Sequence, residues 1–160
     1  MVDTTFTDSY ITTDAALEAL IGDDPRASAI ALKALAAASQ AWYCQEATRH
    51  IDSQPIRGYK YEYNQDQEFP RIIDETVVGD ADQFAVVPDA IQRACLEEAI
   101  AIYSSIASGS GRRELQEAGV QSFSIGGKLQ ETFRAGAGTE GLLSSVARRL
   151  LRRYIGVVTR

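Results

Sequence analysis

The segment PDAIQRACLEEAIAIYSSIAS, residues 88–108, predicts a helix that is mostly buried. Pro88 suits the first turn of a helix, because that turn needs no backbone N–H from it and its φ is already helical. Apolar side chains recur at every third or fourth position, so they share one face. Gly109 and Gly111 end the helix. The apolar positions are Ile91, Cys95, Ala99, Ile102 and Ile106, with Leu96 and Tyr103 beside them, and the narrow polar stripe is Arg93, Glu97 and Ser104.

Two further helices are predicted upstream of this segment. A helix capped by Thr12 or Thr13 ends near Gly22, and Asp24-Pro25 then offers the N-cap and the first residue of the next helix. From Arg26 to about Asp52 the sequence is rich in alanine and contains no glycine or proline. We therefore expect one long helix there, with room for a kink.

Residues 55–85 are rich in turn-forming, aromatic and acidic residues and predict a long loop excursion that carries short strands. Its aromatic residues include Tyr59, Tyr61, Tyr63 and Phe69. Loops of this length are uncommon in compact domains and are often functional. We expect this excursion to contact a neighbouring molecule.

Gly126-Gly127, within residues 120–133, predicts a β-hairpin. A two-residue loop would place Ile125 and Leu129 on opposite faces. A three-residue loop that includes Lys128 places them opposite each other on one face. We therefore expect the three-residue loop.

Thr139 is the predicted N-cap of a final amphipathic helix with one apolar and one basic side. Cations near a helix C-terminus interact favourably with the helix dipole, which accounts for one or two of the arginines. Four of them in two rows favour an element that docks on an acidic partner or an anion. The apolar side holds Leu143, Val146, Ala147, Leu150 and Tyr154, and the basic side holds Arg148, Arg149, Arg152 and Arg153.

These elements predict a mainly α fold: a small helical bundle with a long helix, an irregular loop excursion, a β-hairpin and a C-terminal amphipathic helix. A chain of 160 residues can form one compact core. We expect a helical domain over residues 1–133, which includes the hairpin, and a hinge with a basic docking helix and arm over residues 134–160. The apolar runs are too short to cross a bilayer or to form a signal peptide, so we expect a cytosolic product.

Charge is distributed unevenly along the chain. Residues 1–111 contain seven Lys and Arg against eighteen Asp and Glu, a net charge of −11, whereas residues 112–160 contain nine against four, a net charge of +5. Nonspecific affinity for nucleic acid depends on neutralising phosphates with cations. The acidic body therefore disfavours a role in coating DNA.

Few residues suit catalysis or metal binding. His50, the one histidine of the sequence, stands near the end of a helix, where it suits the helix dipole, and Cys44 and Cys95 fall in apolar helical regions. The glycines of residues 136–141 have the spacing of a dinucleotide-binding motif, but no second strand and no acidic residue follow them. We expect no enzyme activity, catalytic residue, metal or cofactor. Glu98, at the edge of the apolar stripe, is expected to pair with an arginine.

Five short segments follow one another in a recognisable order. They are Ser9-Tyr10-Ile11-Thr12, Ala47-Thr48-Arg49-His50-Ile51-Asp52, Arg57-Gly58, Phe69-Pro70-Arg71 and Val87-Pro88-Asp89-Ala90-Ile91, the last opening a helix that reaches Glu97 and Ala99. This pattern resembles the head-tail adaptor family, the connector or head-completion proteins of long-tailed double-stranded DNA phages, some of which carry a DnaT-like label. The resemblance covers about residues 9–108, and beyond Gly109 only the kind of elements is similar.

The resemblance implies a virion protein of the neck that is assembled in the host cytoplasm. Such proteins form a homo-oligomeric ring, usually a dodecamer, between the portal protein and a tail-side stopper or tail protein. Double-stranded DNA passes through the ring without specific binding, and neither an enzyme activity nor a membrane is implied. An acidic body repeated around a pore would repel DNA from the wall, which agrees with this role.

Within that role, charge and resemblance assign two groups of surface residues. The final helix and arm are expected to dock on the portal, and the small residues of the long helix and the aromatic residues of the excursion are expected to contact neighbouring subunits. The portal-docking residues are Arg148, Arg149, Arg152, Arg153, Tyr154 and Arg160. The subunit-interface residues are Ala34, Ala37, Ala41, Tyr59, Tyr61, Tyr63 and Phe69.

A replication accessory protein that binds single-stranded DNA is the alternative function. Such proteins combine aromatic platforms with basic residues. The tyrosines of residues 59–63 lie instead among Glu62, Asp66 and Glu68, with Arg57 and Lys60 as the nearby cations. Binding of DNA by the isolated protein, weakened by salt, would distinguish this alternative from the adaptor.

Overall fold

The computed structural model describes residues 4–60, 62–72, 87–107, 122–125, 129–132 and 141–156, and this part of the chain is mainly helical, as predicted. Two antiparallel strand pairs accompany the helices within these ranges. None of the described helices has both the length and the apolar character that crossing a bilayer requires. The helices are α1 (Asp14–Ile21), α2 (Ala27–Lys33), α3 (Ala37–Asp52), α4 (Asp89–Ala107) and α5 (Ser145–Leu151), and the strands are β1 (Tyr59–Lys60), β2 (Arg71–Ile72), β3 (Ser122–Ile125) and β4 (Leu129–Thr132).

Helix α4 lies at the centre of the core, because α1, α2, α3 and α5 all pack against it. The side chains of Ile91, Cys95 and Ala99 are fully buried. The N–H of Ile91 donates to the carbonyl oxygen of Pro88 at 2.8 Å, so the helix begins directly after the proline, as predicted. Ile106 is 51% exposed, so the apolar face that the sequence predicts extends one turn beyond the buried part of the helix.

Helix α1 has the predicted cap and the predicted end. The Oγ1 atom of Thr13 accepts a hydrogen bond from the N–H of Ala16 at 3.0 Å. Gly22 follows the last turn with a φ of +52°, a conformation that favours glycine, and its N–H donates to the carbonyl oxygen of Glu18 at 2.9 Å. Both signals act within one helical turn, which is why the sequence alone locates this helix.

The prediction of one long helix from Arg26 to about Asp52, with room for a kink, is confirmed in its helical content, but the interruption is a break and not a kink, because the chain leaves the helix at Ala34 and re-enters it after Ala36. Ala36 is extended, with φ −61° and ψ 145°, although alanine favours a helix. The buried side chain of Gln40 explains the break. Its Nε2 donates to the carbonyl oxygens of Leu32 at 3.4 Å and Lys33 at 2.9 Å, in the last turn of α2, where carbonyl oxygens lack the usual helical partners.

Helix α2 begins two residues later than predicted. Its N-cap residue is Arg26, and Ala27 is the first helical residue, whereas the sequence indicated Asp24 as the cap and Pro25 as the first position. The carboxylate of Asp24 instead accepts hydrogen bonds from the N–H of Arg26 at 2.9 Å and from its guanidinium at 2.6 Å. Asp24 therefore closes the turn that precedes the helix.

The predicted strands of the excursion and the predicted hairpin are both confirmed. In the excursion, β1 and β2 pair with Tyr59 opposite Ile72. In the hairpin, Ile125 lies opposite Leu129, which is the pairing expected of a three-residue loop.

Helix α5 is capped by Ser144 and not by Thr139, which lies outside the described residues. The Oγ of Ser144 accepts a hydrogen bond from the N–H of Ala147 at 3.1 Å. Ser144 itself is extended, with a ψ of 122°, so the helix begins after it. The predicted amphipathic helix is present, but its N-cap, Ser144, lies five residues after the predicted cap, Thr139.

Residues 142–156 form part of the same core as the other helices. On the C-terminal side of α5, the N–H groups of Arg57 and Gly156 donate to the carbonyl oxygens of Tyr154 and Pro55, each at 2.8 Å. The predicted hinge and the residues after 156 lie outside the described ranges, so the division at residues 133 and 134 stays a prediction. The buried apolar residues of this segment are Leu142, Ala147, Leu151 and Tyr154.

Candidate functional site

Several segments that carry the family resemblance meet at a buried polar junction. The N–H of Tyr10 donates to the Oγ1 of Thr48 at 3.1 Å. The Tyr10 hydroxyl donates to a carboxylate oxygen of Asp52 and accepts a hydrogen bond from the N–H of Phe69 at 3.1 Å. Tyr10 thereby connects the N-terminal segment to the end of α3 and to the loop excursion. The polar junction consists of Tyr10, Thr48, His50, Asp52 and Glu98.

Burial changes the protonation behaviour of two groups in the polar junction. Desolvation raises the pKa of Tyr10 above its ordinary value, so its hydroxyl keeps the proton that it donates to Asp52. Burial raises the pKa of Asp52 to about 6, although the hydrogen bond from Tyr10 and the charges of Lys60 and Arg71 act in the opposite direction. The carboxyl of Asp52 is therefore expected to ionise near pH 6 in the folded protein.

The substitution Asp52→Asn should remove part of the pH dependence of stability. The pKa of Asp52 rises from 3.8 to about 6 on folding. Its contribution to stability is therefore fully present below pH 3.8 and is lost as the pH rises through 6. Asparagine keeps an oxygen acceptor for Tyr10 but does not titrate.

Urea unfolding at a series of pH values tests this prediction. The wild-type protein should lose stability relative to Asp52→Asn as the pH rises through this window. A constant difference between the two proteins across the window would show that Asp52 has the same pKa in the folded and unfolded states.

Glu98 is completely buried and holds α5 against the body of the protein. Its Oε1 accepts hydrogen bonds from the Nδ1 of His50 at 2.7 Å and from the N–H of Leu143 at 2.8 Å. Its Oε2 accepts from the N–H of Ser144 at 2.9 Å. Burial alone would raise the pKa of Glu98, but these hydrogen bonds outweigh it and hold the pKa below the ordinary value. Glu98 thus joins α3, α4 and the start of α5 through one carboxylate.

These contacts correct the expected partner of Glu98 and explain the role of His50. The partner of Glu98 is His50 together with two backbone N–H groups, and not an arginine. His50 has the structural role that the sequence favoured, although the contact with Glu98 comes from another helix. A buried carboxylate is stable only when donors surround it, and here the start of α5 supplies two of them.

The segment Phe69-Pro70-Arg71 is also structural. The Arg71 guanidinium donates to the carbonyl oxygens of residues 56–58, at distances from 2.5 to 3.3 Å, and forms an ion pair with Glu68. The Phe69 ring packs edge-on against Tyr10 and Tyr154, with centroids 5.9 and 5.4 Å away. Phe69 is 2% exposed and lies inside the subunit, so it is not available for the intersubunit contact predicted for it.

The groups of the polar junction are engaged with one another and suit a structural role better than a chemical one. Cys44 and Cys95 are free and buried, and burial raises the pKa of Cys95 to about 12, so its thiol stays protonated at neutral pH. Within the described ranges, no three residues among His, Cys, Asp and Glu are placed to hold a metal ion. The surface of the protein therefore holds the better candidates for a functional site.

Part of the predicted portal-docking group is used within the subunit. The Arg148 guanidinium donates to the carbonyl oxygen of Leu142 at 2.8 Å. Arg153 lies over the ring of Tyr154, 4.6 Å from its centroid, and Tyr154 is only 8% exposed. Tyr154 is therefore a core residue and not a docking residue, and Arg160 lies outside the described residues.

Arg149 and Arg152 differ from the other arginines of α5. Both are exposed, and neither forms an ion pair or a side-chain hydrogen bond within the described part of the chain. Leu143, just before the helix, is 42% exposed although Glu98 fixes its backbone. The structure therefore presents one apolar side chain just before α5 and two cations in its last turn and C-cap, on a segment that is anchored to the core.

The remaining predicted interface residues occupy two regions. Ala34 is exposed and Ala37 and Ala41 are half-buried around the break between α2 and α3, whereas Tyr59 and Tyr63 are exposed in the loop excursion. Tyr61 lies outside the described residues. The role of these residues in subunit contacts stays a prediction.

Trp42, which is not among the predicted interface residues, is 46% exposed on α3. Its ring packs edge-on against Tyr43 with centroids 4.9 Å apart, and Tyr43 packs against Tyr103 of α4 at 5.5 Å. The sequence signal that could have indicated Trp42 is its position directly after Ala41, one of the alanines predicted to contact a neighbouring subunit. An exposed tryptophan supported by other rings is typical of surfaces that bind other molecules.

Comparison with known proteins places the chain in a described family. The model of a family described as “Putative DnaT-like ssDNA binding protein” matches residues 4–159. No curated protein and no solved structure matches the chain. The family description agrees with the single-stranded DNA-binding alternative better than with the head-tail adaptor, although it carries the DnaT-like label of some proteins that the sequence resembles.

Proposed function

The chain belongs to this DnaT-like family, and we propose that its role there is structural: it forms a homo-oligomeric ring that joins a phage portal to tail-side proteins and continues the DNA channel. The observation that supports this role best is that the cations nearest along the chain to the exposed side chains of Trp42 and Tyr63 are already paired with carboxylates. Binding of single-stranded DNA requires aromatic side chains together with cations that can reach the phosphates. Contacts between proteins need no free cation, since the buried centres of their interfaces are depleted in charged residues and enriched in aromatic ones.

The surroundings of the exposed aromatic residues support the proposal. Near Trp42 on α3, the charged residues Glu46 and Arg49 pair with each other at 2.7 Å. In the loop excursion, the Nζ of Lys60 lies 3.3 Å from a carboxylate oxygen of Glu68, so its charge is balanced close to Tyr63. Arg49 and Lys60, the cations nearest along the chain to Trp42 and Tyr63, are therefore already paired with carboxylates.

The charge of the chain also fits a channel better than a nucleic-acid grip. Residues 1–111 carry a net charge of −11. A ring would repeat this charge around its axis, and DNA in the lumen would be repelled from the wall and free to pass. No enzymatic step is part of the proposed role.

Native mass spectrometry and electron microscopy of the purified protein, with and without the portal protein of the same phage, test the proposal. We expect a closed ring of identical subunits, either free or attached to the portal. Subunits that remain monomeric in both preparations would overturn the adaptor role.

Binding of single-stranded DNA is the second candidate function, and the description of the matching family favours it. Fluorescence anisotropy with a labelled oligothymidine separates the two roles. The DNA-binding role requires that the logarithm of the association constant fall linearly with the logarithm of the salt concentration, because phosphate contacts release counterions. The adaptor role requires no measurable binding at physiological salt, and tight binding there would overturn it.

A further inference from the structure

We propose that the exposed side of α5 binds the exposed side of α1 and α2 in a second copy of this chain. The inference rests on the proposed ring and assigns the contact that builds it. The basic face consists of Leu143, Arg149 and Arg152. The acidic face consists of Glu18, Asp23 and Ile30.

The basic face is fixed in position. The carboxylate of Glu98 accepts hydrogen bonds from the N–H groups of Leu143 and Ser144, which anchors the N-terminal end of α5. Leu151 is buried at the other end of the helix. Arg149 and Arg152 are therefore presented by a rigid element, so their charges can meet a partner without first ordering the backbone.

The acidic face retains its charge because neither nearby cation pairs with Glu18 or Asp23: the Nζ of Lys33 contacts the carbonyl oxygen of Gly22 at 3.5 Å, and Arg26 has other partners. The Arg26 guanidinium is held by the carboxylates of Asp24 and Glu97, at 2.6 and 2.7 Å. Glu18 and Asp23 are exposed and form no ion pair within the described residues. Ile30, on the neighbouring helix, is 56% exposed and adds an apolar side chain. The face thus matches the basic face in composition, with opposite charge.

The two faces lie on different sides of α4. Glu97 contacts Arg26 at the start of α2, whereas Glu98 contacts the start of α5. Consecutive residues of a helix point about 100° apart, so these two neighbours direct α2 and α5 to different sides. A contact between unlike faces of two copies is head-to-tail, and such contacts close into rings when their rotation permits.

Charge balance favours a second copy as the partner. Residues 141–156 contain four arginines and no acidic residue, whereas residues 14–33 contain four acidic residues against Arg26 and Lys33. Every copy therefore supplies one face of each sign. In a ring each face meets its complement, and like charges stay apart.

A charge-swap experiment tests the contact. One variant, Arg149→Glu with Arg152→Glu, makes the basic face acidic, and the other, Glu18→Lys with Asp23→Lys, makes the acidic face basic. Each variant alone should associate about a hundredfold more weakly than the wild type, because like charges then face each other. An equimolar mixture should assemble again, with the two variants alternating, since each altered face meets the other altered face.

Native mass spectrometry with and without the portal protein is the readout, and circular dichroism verifies that each variant is folded. The matched control, Arg49→Glu with Arg93→Glu, makes the same change in net charge at exposed positions of α3 and α4 and should assemble like the wild type. Assembly of each variant alone, or a mixture that does not reassemble, would overturn the contact but leave the ring itself in place. Loss of portal binding with intact self-assembly would assign α5 to the portal and would also overturn it. Failure of the wild type to assemble in either preparation would overturn the ring as well.

Discussion

The substitution Glu98→Gln should lower the free energy of unfolding by about 3 kcal/mol. The carboxylate of Glu98 receives three donors, one from His50 and two from the backbone of Leu143 and Ser144. Glutamine has the same shape but only one acceptor oxygen, and its NH₂ group would face at least one of these donors. Because the side chain is fully buried, water cannot satisfy the donor that is left unpaired.

The neighbouring residue provides a matched control. Glu97 carries the same carboxylate one position earlier on α4, but it pairs with Arg26, whose side chain is 43% exposed. The substitution Glu97→Gln should therefore cost less than about 1 kcal/mol. Urea unfolding followed by the fluorescence of Trp42 measures both variants. Equal losses of unfolding free energy in the two variants would show that the three hydrogen bonds of Glu98 stabilise the protein no more than the surface ion pair of Glu97 does.

The pH dependence of the stability of Glu98→Gln gives an independent measurement. Folding lowers the pKa of Glu98 from its ordinary value of 4.5. The stabilisation is therefore present above pH 4.5 and is lost as the pH falls through the lower folded pKa. Glu98→Gln should reduce this acid loss, whereas Glu97→Gln should retain it. The comparison attributes the effect to the charge of Glu98 and not to the volume of its side chain.

The features that the sequence predicts correctly depend on short-range interactions. Helix α1 needs only Thr13 and Gly22, each of which bonds within one turn. The hairpin follows from two glycines and from the requirement that Ile125 and Leu129 share a face. The apolar period of residues 88–108 likewise suffices to place α4 in the core, because a helix so apolar must be covered.

Two features that the sequence predicts incorrectly depend on side chains that lie beyond one helical turn. A threonine and a serine are both good N-caps, so Thr139 and Ser144 are equivalent by local rules. The choice is made by Glu98, 46 residues before Ser144, which binds the backbone at that position. The break between α2 and α3 similarly requires Gln40 to turn back toward α2, and nothing in an alanine-rich sequence indicates it.

The candidate surface was only partly predictable for the same reason. The helical period places Arg149 and Arg152 opposite the apolar side of α5, and the structure confirms that both are exposed. The period does not reveal that Arg148 and Arg153 find partners in residues next to the helix. The location of aromatic side chains is harder to predict, since a phenylalanine in a long loop can face a neighbouring subunit or the core of its own subunit.

A substitution of Phe69 distinguishes a position in the core of the subunit from a position in a contact between subunits. The substitution Phe69→Ala should lower the free energy of unfolding by about 4 kcal/mol, because it removes a buried ring and leaves a cavity between Tyr10 and Tyr154. The N–H of Phe69 would also have to keep its bond to the Tyr10 hydroxyl without the ring that holds the loop in place. The loss should be seen in dilute solution, where subunits are dissociated.

The control for Phe69 is Tyr63, an aromatic residue of the same excursion that is fully exposed. Tyr63→Ala should change the unfolding free energy by less than about 0.5 kcal/mol, because a surface side chain without buried contacts contributes little. If Phe69 were an intersubunit residue, Phe69→Ala would behave like Tyr63→Ala in the monomer and would weaken only self-association. The core position instead requires a large loss that does not depend on protein concentration, since the rings that surround Phe69 belong to its own subunit.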